Sequence, residues 1–438
     1  MTAPRSQSTG STPSRESDAG DGPTDGGEHR GWPVGERLEQ LPPPVFVADQ
    51  AGVDALATAA TAVPAIGVDT EADSFYSYRE KVCLVQVTVG DVDYLIDPFA
   101  DLDLAPLGAV LADPAVIKIL HDGEFDVTIL AREYGFRLRN LFDTRVAAAA
   151  LGFASPGLAA VLERYFGLAL DKSEQRSDWS RRPLTDAQVA YARLDTRYLV
   201  PLMHAMERDL AAKDRAAVHA GECQRLADME VEERDFDPEA YLRVKGARRL
   251  SGHEARVLRE LFGLRDRLAR ERDVPPFKVI GNDTLLTLAQ RQPSSPDELD
   301  GLRGFPRGRR RSVGRDVLAT IERARAMDPI PPAARRAKNG SGGRLDDPEF
   351  ELHERLREWR RKKAETEDMD ASLVLNRHVM LRLAKARPRQ QADLAGVEGL
   401  LPWQVERYGT GLARLCERFE RELAAGEIDF DRRRRRRR

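Results

Sequence analysis

The chain has 438 residues, of which 41% are hydrophobic and 32% charged, and this length predicts roughly two to four domains. No apolar run approaches the roughly 20 residues that a membrane-spanning helix needs, which argues against a membrane protein. The net charge of −3 is unevenly divided: residues 1–215 carry 21 Lys and Arg against 33 Asp and Glu, whereas residues 216–438 carry 48 against 39. The excess of positive charge in the second half indicates contact with a polyanion. If the acidic first half acts on the same polyanion, it needs bound cations at its active site to offset the repulsion.

Residues 1–40 are polar and lack the apolar stretch of a signal peptide, so we expect a disordered tail. From 44 to 215, short β-rich runs alternate with helical stretches, which predicts an α/β domain. The expected strands are Ala65–Thr70, Val82–Val89, Asp93–Ile96 and Val116–Leu120, and the expected helices lie near 125–134, 143–152, 157–166 and 185–210. The polar segment Gly167–Pro183 is predicted to be a loop that leads into the last helix.

The second half of the chain, from about residue 216, has helical periodicity and an internal repeat at an offset of 95 residues. Ten positions match without gaps: Val279, Ile280, Leu285, Leu286, Leu288, Ala289, Pro293, Leu299, Gly301 and Gly304 pair with Val374, Leu375, Met380, Leu381, Leu383, Ala384, Pro388, Leu394, Gly396 and Gly399. The repeat predicts two similar helical bundles, at 240–327 and 348–425, joined by a linker at 328–347. An Arg-rich tail follows at 426–438 and ends in seven consecutive arginines.

Three acidic motifs carry the chemical signal. Asp69 and Glu71 close an apolar strand and point to the same side, where two carboxylates repel each other unless a divalent cation lies between them. The second motif, His-Asp-Gly-Glu-Phe-Asp at 121–126, follows another strand. The third places Tyr191 and Asp195 on one face of a helix. Taken singly, each motif has an ordinary alternative: solvated turn acids, acids that cap a helix N-terminus, or packing within a helix.

In their order and spacing, the three motifs resemble the DEDD exonuclease superfamily, in the branch with tyrosine in its third motif. The run Leu170–Asp195 resembles the corresponding stretch of the ribonuclease D family, and the repeated bundle resembles the HRDC domain. The resemblance covers about residues 60–425. It implies a ribonuclease H-like α/β exonuclease domain, followed by two all-α HRDC-like bundles.

Carried over by position, the resemblance implies four metal-binding carboxylates and a tyrosine that orients the attacking water: Asp69, Glu71, Asp126 and Asp195, with Tyr191. The second motif departs from the family pattern, because Phe125 stands where an acid often precedes the ligand Asp. Asp122 and Glu124 therefore stay alternatives to Asp126. Four carboxylates without His or Cys clusters favour two Mg²⁺ or Mn²⁺ ions over zinc, and two such ions suit phosphodiester hydrolysis.

Basic residues near the third motif and in the first bundle are candidates for binding substrate phosphates. They are Lys172, Arg176, Arg181 and Arg182 in the loop before the third motif, and Arg303, Arg307, Arg309, Arg310 and Arg311 in the bundle. For each group the alternative is a solvated charged surface. His121 is either structural or a phosphate contact, and Trp179 either packs in the core or stacks on a base.

The expected function is that of a metal-dependent 3′→5′ exoribonuclease that releases nucleoside 5′-monophosphates, with transfer RNA precursors as the family's expected substrate. One alternative keeps the chemistry but changes the substrate to DNA, and a second is a catalytically silent RNA-binding protein. Three distant cysteines predict no disulfide framework. We expect a cytoplasmic protein without an obligate protein partner.

Overall fold

The structure is a computed structural model that describes residues 41–231, 235–302, 305, 313–332, 345–428 and 430. Several sequence predictions fall outside these residues: the tail at 1–40, most of the linker, the final arginines, and the candidates Arg309, Arg310 and Arg311 with Arg303 and Arg307.

A six-stranded mixed sheet organises the first half of the chain and confirms the α/β class. Its strands are β1 Val45–Val47, β2 Ala65–Ala72, β3 Val82–Val89, β4 Val92–Ile96, β5 Ile117–Leu120 and β6 Leu141–Asp143. Their order is β1-β4-β3-β2-β5-β6, in which β3 runs antiparallel to β2 and β4 and the other pairs are parallel. Every residue of β3 is buried, as expected for a strand covered on both faces.

Eight helices accompany this sheet among the described residues. They are α1 Gln50–Thr61, α2 Ala105–Ala112, α3 Glu124–Tyr134, α4 Thr144–Ala150, α5 Leu158–Phe166, α6 Asp186–Arg197, α7 Leu199–Ala212 and α8 Ala216–Ala227. The single helix predicted over 185–210 is wrong, because the chain breaks at Tyr198 into α6 and α7. Pro201 lacks the N–H that would bond to the carbonyl of Arg197, so one continuous helix is disfavoured there.

Gly67 brings the end of α6 close to the central strand β2. A Cβ atom at Gly67 would lie 2.6 Å from the carbonyl oxygen of Thr196. Only glycine permits this distance, since no side chain fits between the two backbones. The close approach fixes the end of α6 against β2, two residues before Asp69.

The second half is all-α in the described residues, as predicted, and the repeat is visible element by element. The first bundle contains α9 Gly252–Glu271, α10 Pro276–Val279, α11 Asn282–Arg291, α12 Pro296–Asp300 and α13 Arg315–Arg325. The second contains α14 Asp347–Glu367, α15 Ala371–Val374, α16 Arg377–Ala386 and α17 Pro402–Ala424, with a 3-10 turn at Gln391–Gly396. The first three helices of each bundle begin 95 residues apart.

The two bundles are buried differently. The first has its own hydrophobic core, against which only Tyr78 of the nuclease half packs among the described residues. The second shares one continuous core with the nuclease half, where Leu383 and Trp403 belong to the same cluster as Leu199 and Met206. None of the described helices combines the length and apolarity needed to cross a bilayer.

Candidate active site

Three predicted carboxylates meet at the end of β2. Asp69 and Glu71 come from this strand and Asp195 from α6, and one oxygen atom of each lies within 4.8 Å of the others. The alternation of strand side chains explains why the first two point the same way. The close contact at Gly67 explains why α6 delivers the third to the same place.

Asp126 of α3 adds a fourth carboxylate to the acidic set. It lies in the first turn of α3, is almost fully buried, and accepts a hydrogen bond of 2.5 Å from the Thr70 hydroxyl. This bond joins α3 to the end of β2. Asp126 lines the same cavity, of about 320 Å³, as Asp69, Glu71, and Asp195.

The two alternative acids of the second motif have other positions. Glu124 is exposed and does not line this cavity. Asp122 lines it, but its carboxylate is 63% exposed and pairs with Arg145 at 3.4 Å. Of the three acids, Asp126 alone is both buried and in the cavity with the carboxylates of the other motifs.

Without a cation between them, these four carboxyl groups are difficult to ionise at the same time. Burial, reinforced by repulsion from Asp195 and Asp126, raises the pKa of Glu71 to about 9. Burial raises the pKa of Asp195 to about 7 and that of Asp126 to about 6, and it raises the pKa of Asp69 well above its ordinary value. A divalent cation would remove this repulsion by holding the ionised forms, and hard carboxylate oxygens suit Mg²⁺ or Mn²⁺.

Tyr191 lies one helical turn before Asp195 on α6, and its hydroxyl hydrogen-bonds to that carboxylate. Burial and the neighbouring carboxylates raise the pKa of Tyr191, so the phenol keeps its proton at neutral pH. The ring packs against Trp179 at a centroid distance of 5.9 Å. Trp179 is only 1% exposed, which settles its role as a core residue beneath the tyrosine and excludes base stacking.

The turn at 121–123 is held by one buried acid that the sequence did not single out. The carboxylate of Asp143 accepts hydrogen bonds from the backbone N–H groups of Asp122 and Gly123, at 3.2 and 2.8 Å, and it also caps α4. His121 in this turn contacts the Thr144 hydroxyl through Nδ1 at 2.8 Å. Burial lowers the pKa of His121 to about 4, so the imidazole is neutral at physiological pH.

The loop before the third motif places its basic residues differently. Lys172 lines the cavity, whereas Arg176 and Arg181 do not. The Arg181 side chain is 80% exposed and pairs with Asp178 at 3.0 Å. Arg182 braces the fold instead, because it binds Asp97 and the carbonyl of Cys83.

Sequence reasoning missed Arg145, the only Arg among the residues that line the cavity. It also missed a set of aromatic residues, here called the aromatic rim, which consists of Phe75 and Tyr76 of the β2–β3 loop and Phe277 of α10. The first two contact Arg176 of the loop before the third motif. Phe75 and Phe277 are 45% and 54% exposed, and Lys278 lies 4.2 Å from the Tyr76 ring centroid. No sequence signal marks these residues, because they come from separate elements.

Comparisons with known proteins agree with this geometry. Residues 44–211 match the 3′-5′ exonuclease family, and residues 254–321 and 349–416 match the HRDC domain, again 95 residues apart. Ribonuclease D of Cronobacter turicensis is 30% identical over 372 residues, which cover 83% of this chain and 98% of that protein. Ribonuclease D of Escherichia coli is 36% identical over 278 residues, which cover 63% of this chain and 74% of that protein.

The similarity extends to three dimensions. The crystal structure of Escherichia coli RNase D, an exoribonuclease involved in structured RNA processing, superimposes with a TM-score of 0.63 at 28% identity, covering 86% of this chain and 99% of that chain. The predicted ribonuclease H-like exonuclease fold with two HRDC domains is thereby confirmed. The chain belongs to the ribonuclease D family and is a hydrolase of the 3′→5′ exoribonuclease class.

Proposed function

We propose that the protein removes nucleotides one at a time from RNA 3′ ends, releases nucleoside 5′-monophosphates, and acts on transfer RNA precursors. The observation that carries this proposal is the convergence of Asp69, Glu71, Asp126, Asp195 and Tyr191 on one cavity. The cytoplasmic location expected from the sequence stays a prediction.

The four carboxylates would hold two divalent ions, Mg²⁺ or Mn²⁺, which supply water activation and charge stabilisation at the leaving oxygen. Asp69, Glu71, and Asp195 form the tight group, and Asp126 supplies an oxygen from α3. Among the described residues around the cavity, no Cys is present and the only His is neutral and bonded to Thr144. This donor set fits hard cations better than zinc.

Tyr191 orients the attacking water in this proposal. Its phenol is protonated and already bonded to Asp195, so it acts as a hydrogen-bond donor and acceptor beside the carboxylates. The packed Trp179 beneath it limits the rotation of the ring. Lys172, which also lines the cavity, offers a positive charge to a substrate phosphate.

The aromatic rim supports single-stranded RNA as the form that enters the cavity. Tyr76 donates a hydrogen bond of 3.1 Å to the carbonyl of Arg176, whose guanidinium lies 5.9 Å from the Phe75 ring centroid. Exposed aromatic rings beside cations stack on unpaired bases without reading their sequence. A DNA strand offers similar bases, so the rim leaves 3′→5′ degradation of DNA as the alternative activity.

The test measures shortening of 5′-labelled RNA and single-stranded DNA with free and blocked 3′ hydroxyls, in Mg²⁺, in Mn²⁺ and in EDTA. We expect stepwise shortening of RNA from a free 3′ end, with 5′-monophosphates as products, and slower shortening of DNA. A transfer RNA with extra 3′ nucleotides should be trimmed as well. Equal rates on both polymers would favour the DNA alternative, and binding without cleavage would leave a silent RNA-binding protein.

Two acids of the second motif provide a matched pair. Asp126→Asn removes a carboxylate inside the cavity, whereas Glu124→Gln alters an exposed acid two residues earlier. We expect the first to lower kcat by roughly a thousandfold and the second to leave it unchanged, because only the first removes an oxygen ligand of the metals. Comparable losses in both variants would contradict the assignment.

A further inference from the structure

Two chemically different groups of residues line the cavity. Besides the acidic residues, its lining contains Arg145 of α4, Lys172 of the loop after α5, and His121. Arg145, Lys172, and Asp122 all lie close enough to His121 for their charges to act on its imidazole. Arg145 and Lys172 thus form one cationic group in the cavity lining, and the anions Asp122 and Asp171 line the cavity with them.

Arg145 is poorly satisfied in this position. Its one ion pair among the described residues joins Nε to Asp122 Oδ2 at 3.4 Å, with the side chains 46% and 63% exposed. Exposed pairs of this kind contribute little to stability. Lys172 makes no side-chain hydrogen bond or ion pair with any described residue. A phosphate, which an arginine can bind through two parallel hydrogen bonds, is a stronger partner than one distant carboxylate oxygen.

Asp122 is held in place by the backbone. Its φ of 63° lies in the left-handed region, and the buried Asp143 carboxylate fixes the N–H groups of Asp122 and Gly123. Asp122 therefore keeps its carboxylate near Arg145 without further support from its own side chain. It competes with any anion that approaches the guanidinium.

We propose that Arg145, together with Lys172, binds a non-scissile phosphate of the RNA strand, and that Asp122 occupies Arg145 until the RNA displaces it. This inference rests on the proposed function, because it assigns a substrate contact to the same cavity. In this proposal Asp122 weakens substrate binding by competing for Arg145. Tight binding therefore requires an RNA phosphate positioned to displace the Asp122 carboxylate.

The two partners of the ion pair give opposite expectations. Arg145→Ala should raise KM about tenfold and change kcat less than threefold, because a charge-assisted phosphate contact is lost. Arg145→Lys should recover part of this loss. Asp122→Asn should lower KM about threefold, because it removes the competing anion, and Asn tolerates the left-handed backbone. Arg145→Ala should also reduce the slope of log KM against log salt by about 0.7.

A purely structural ion pair predicts a different result, in which both substitutions raise KM or both lower kcat by loosening the turn at 121–123. That outcome overturns the inference, as does an unchanged KM in both variants. Thermal unfolding of each variant verifies the fold.

Binding of a labelled pentanucleotide RNA in EDTA separates this inference from the proposed function. Its Kd needs no cleavage, and it should rise in Arg145→Ala and fall in Asp122→Asn. A wild-type protein that binds with this order of affinities but cleaves nothing would refute the proposed function and support the phosphate contact. An unaltered order of affinities would refute the contact even in an active enzyme.

Discussion

The short helix α10 of the first HRDC domain has the sequence Pro-Phe-Lys-Val, and its counterpart α15 in the second domain has the sequence Ala-Ser-Leu-Val. In the first, Phe277 is 54% exposed and Lys278 contacts Tyr76 of the nuclease loop. In the second, Leu373 stands at the position of Lys278 and is buried in the core shared with the nuclease. The same scaffold therefore presents an exposed aromatic residue and a lysine in one copy and a packing surface in the other.

The two copies nevertheless dock through equivalent positions. Asp273 and Asp368 lie 95 residues apart, with φ values of 46° and 47°. Asp273 accepts a hydrogen bond of 3.1 Å from the Tyr78 backbone, and Asp368 pairs with Lys213 at 3.2 Å. Around Asp368 the contact is extensive, since the Asp370 N–H also donates to the Ala149 carbonyl. Equivalent positions thus make a small contact with the nuclease half in the first domain and an extensive one in the second.

The largest effect should come from removing matched core leucines. Leu288 and Leu383 are equivalent and both fully buried. Each change to Ala should lower the free energy of unfolding of its own domain by about 3 kcal/mol. Because only Leu383 belongs to the shared core, Leu383→Ala should also lower the temperature at which nuclease activity is lost, whereas Leu288→Ala should not. Calorimetry and residual activity after heating measure both quantities, and identical activity losses would contradict the difference between the domains.

Metal removal should lower the stability of the nuclease and second HRDC domain but not that of the first HRDC domain. Divalent ions at about 100 times their Kd should stabilise the nuclease and second HRDC domain by about 2.7 kcal/mol, leaving the unfolding of the first HRDC domain unchanged. Calorimetric scans with Mg²⁺ and with EDTA test this expectation. A shift of every transition by the same amount would indicate that all three domains unfold together.

The stabilisation of the nuclease by bound metal should increase with pH. Glu71 and Asp195 have raised pKa values, about 9 and 7, in the folded protein. Their contribution to stability without metal is fully present below their unfolded values near pH 4, and it is lost as the pH rises through the folded values. Without metal, we therefore expect Tm to fall between pH 5 and 9, and Mg²⁺ to restore it most at high pH. A Glu71→Gln variant should show a flatter profile.

Replacing the exposed ring of Phe277 should weaken RNA binding without affecting the fold. Phe277→Ser gives the first domain the residue that the second has at Ser372. Loss of base stacking should raise KM for single-stranded RNA about tenfold and leave Tm unchanged. Phe46→Ser is the matched control, since Phe46 is 59% exposed on β1 and does not belong to the rim. Equal KM values for the two variants would remove Phe277 from the substrate path.

The smallest effect on stability should come from replacing Asp273 and Asp368, the two acids through which the HRDC domains contact the nuclease half. Asp273 pairs with Lys81 at 4.0 Å and Asp368 with Lys213 at 3.2 Å, and both ion pairs are exposed. Asp273→Gly and Asp368→Gly keep the left-handed backbone and delete a carboxylate, so each should cost less than about 1 kcal/mol. Only Asp273→Gly should raise KM, by two- to threefold, since it loosens the domain that carries Phe277. Steady-state kinetics on short RNA measure the KM of both variants. A larger KM change in Asp368→Gly would contradict the expectation that only the contact of the first domain affects substrate binding.

Local patterns were sufficient to predict much of this architecture. The spacing of apolar residues predicted the central strands, and the offset of 95 between positions such as Leu285 and Met380 is the offset of the helices themselves. The strands β1 and β6 were missed, because three residues are too short for alternation to be recognised. The shared core was also not predictable, since an apolar residue such as Leu373 has the same pattern whether it faces its own bundle or a neighbouring domain.

The carboxylates of the three motifs could be predicted from their order along the chain, but Arg145 could not. A single arginine after Asp143 has no periodicity or motif that distinguishes it from a solvated residue. Only the fold places it beside Asp122, which is 23 positions earlier in the sequence.

Gly67 has a consequence for the precision of the whole centre. Because the β2 backbone touches the carbonyl at the end of α6, the separation between the two halves of the carboxylate set is determined by main-chain contact. Side-chain rotamers can adjust the direction of each oxygen but cannot change that separation. The space between Asp195 and the pair Asp69 and Glu71 is therefore set by the backbone scaffold. A methyl group at position 67, which touches no substrate, would alter it.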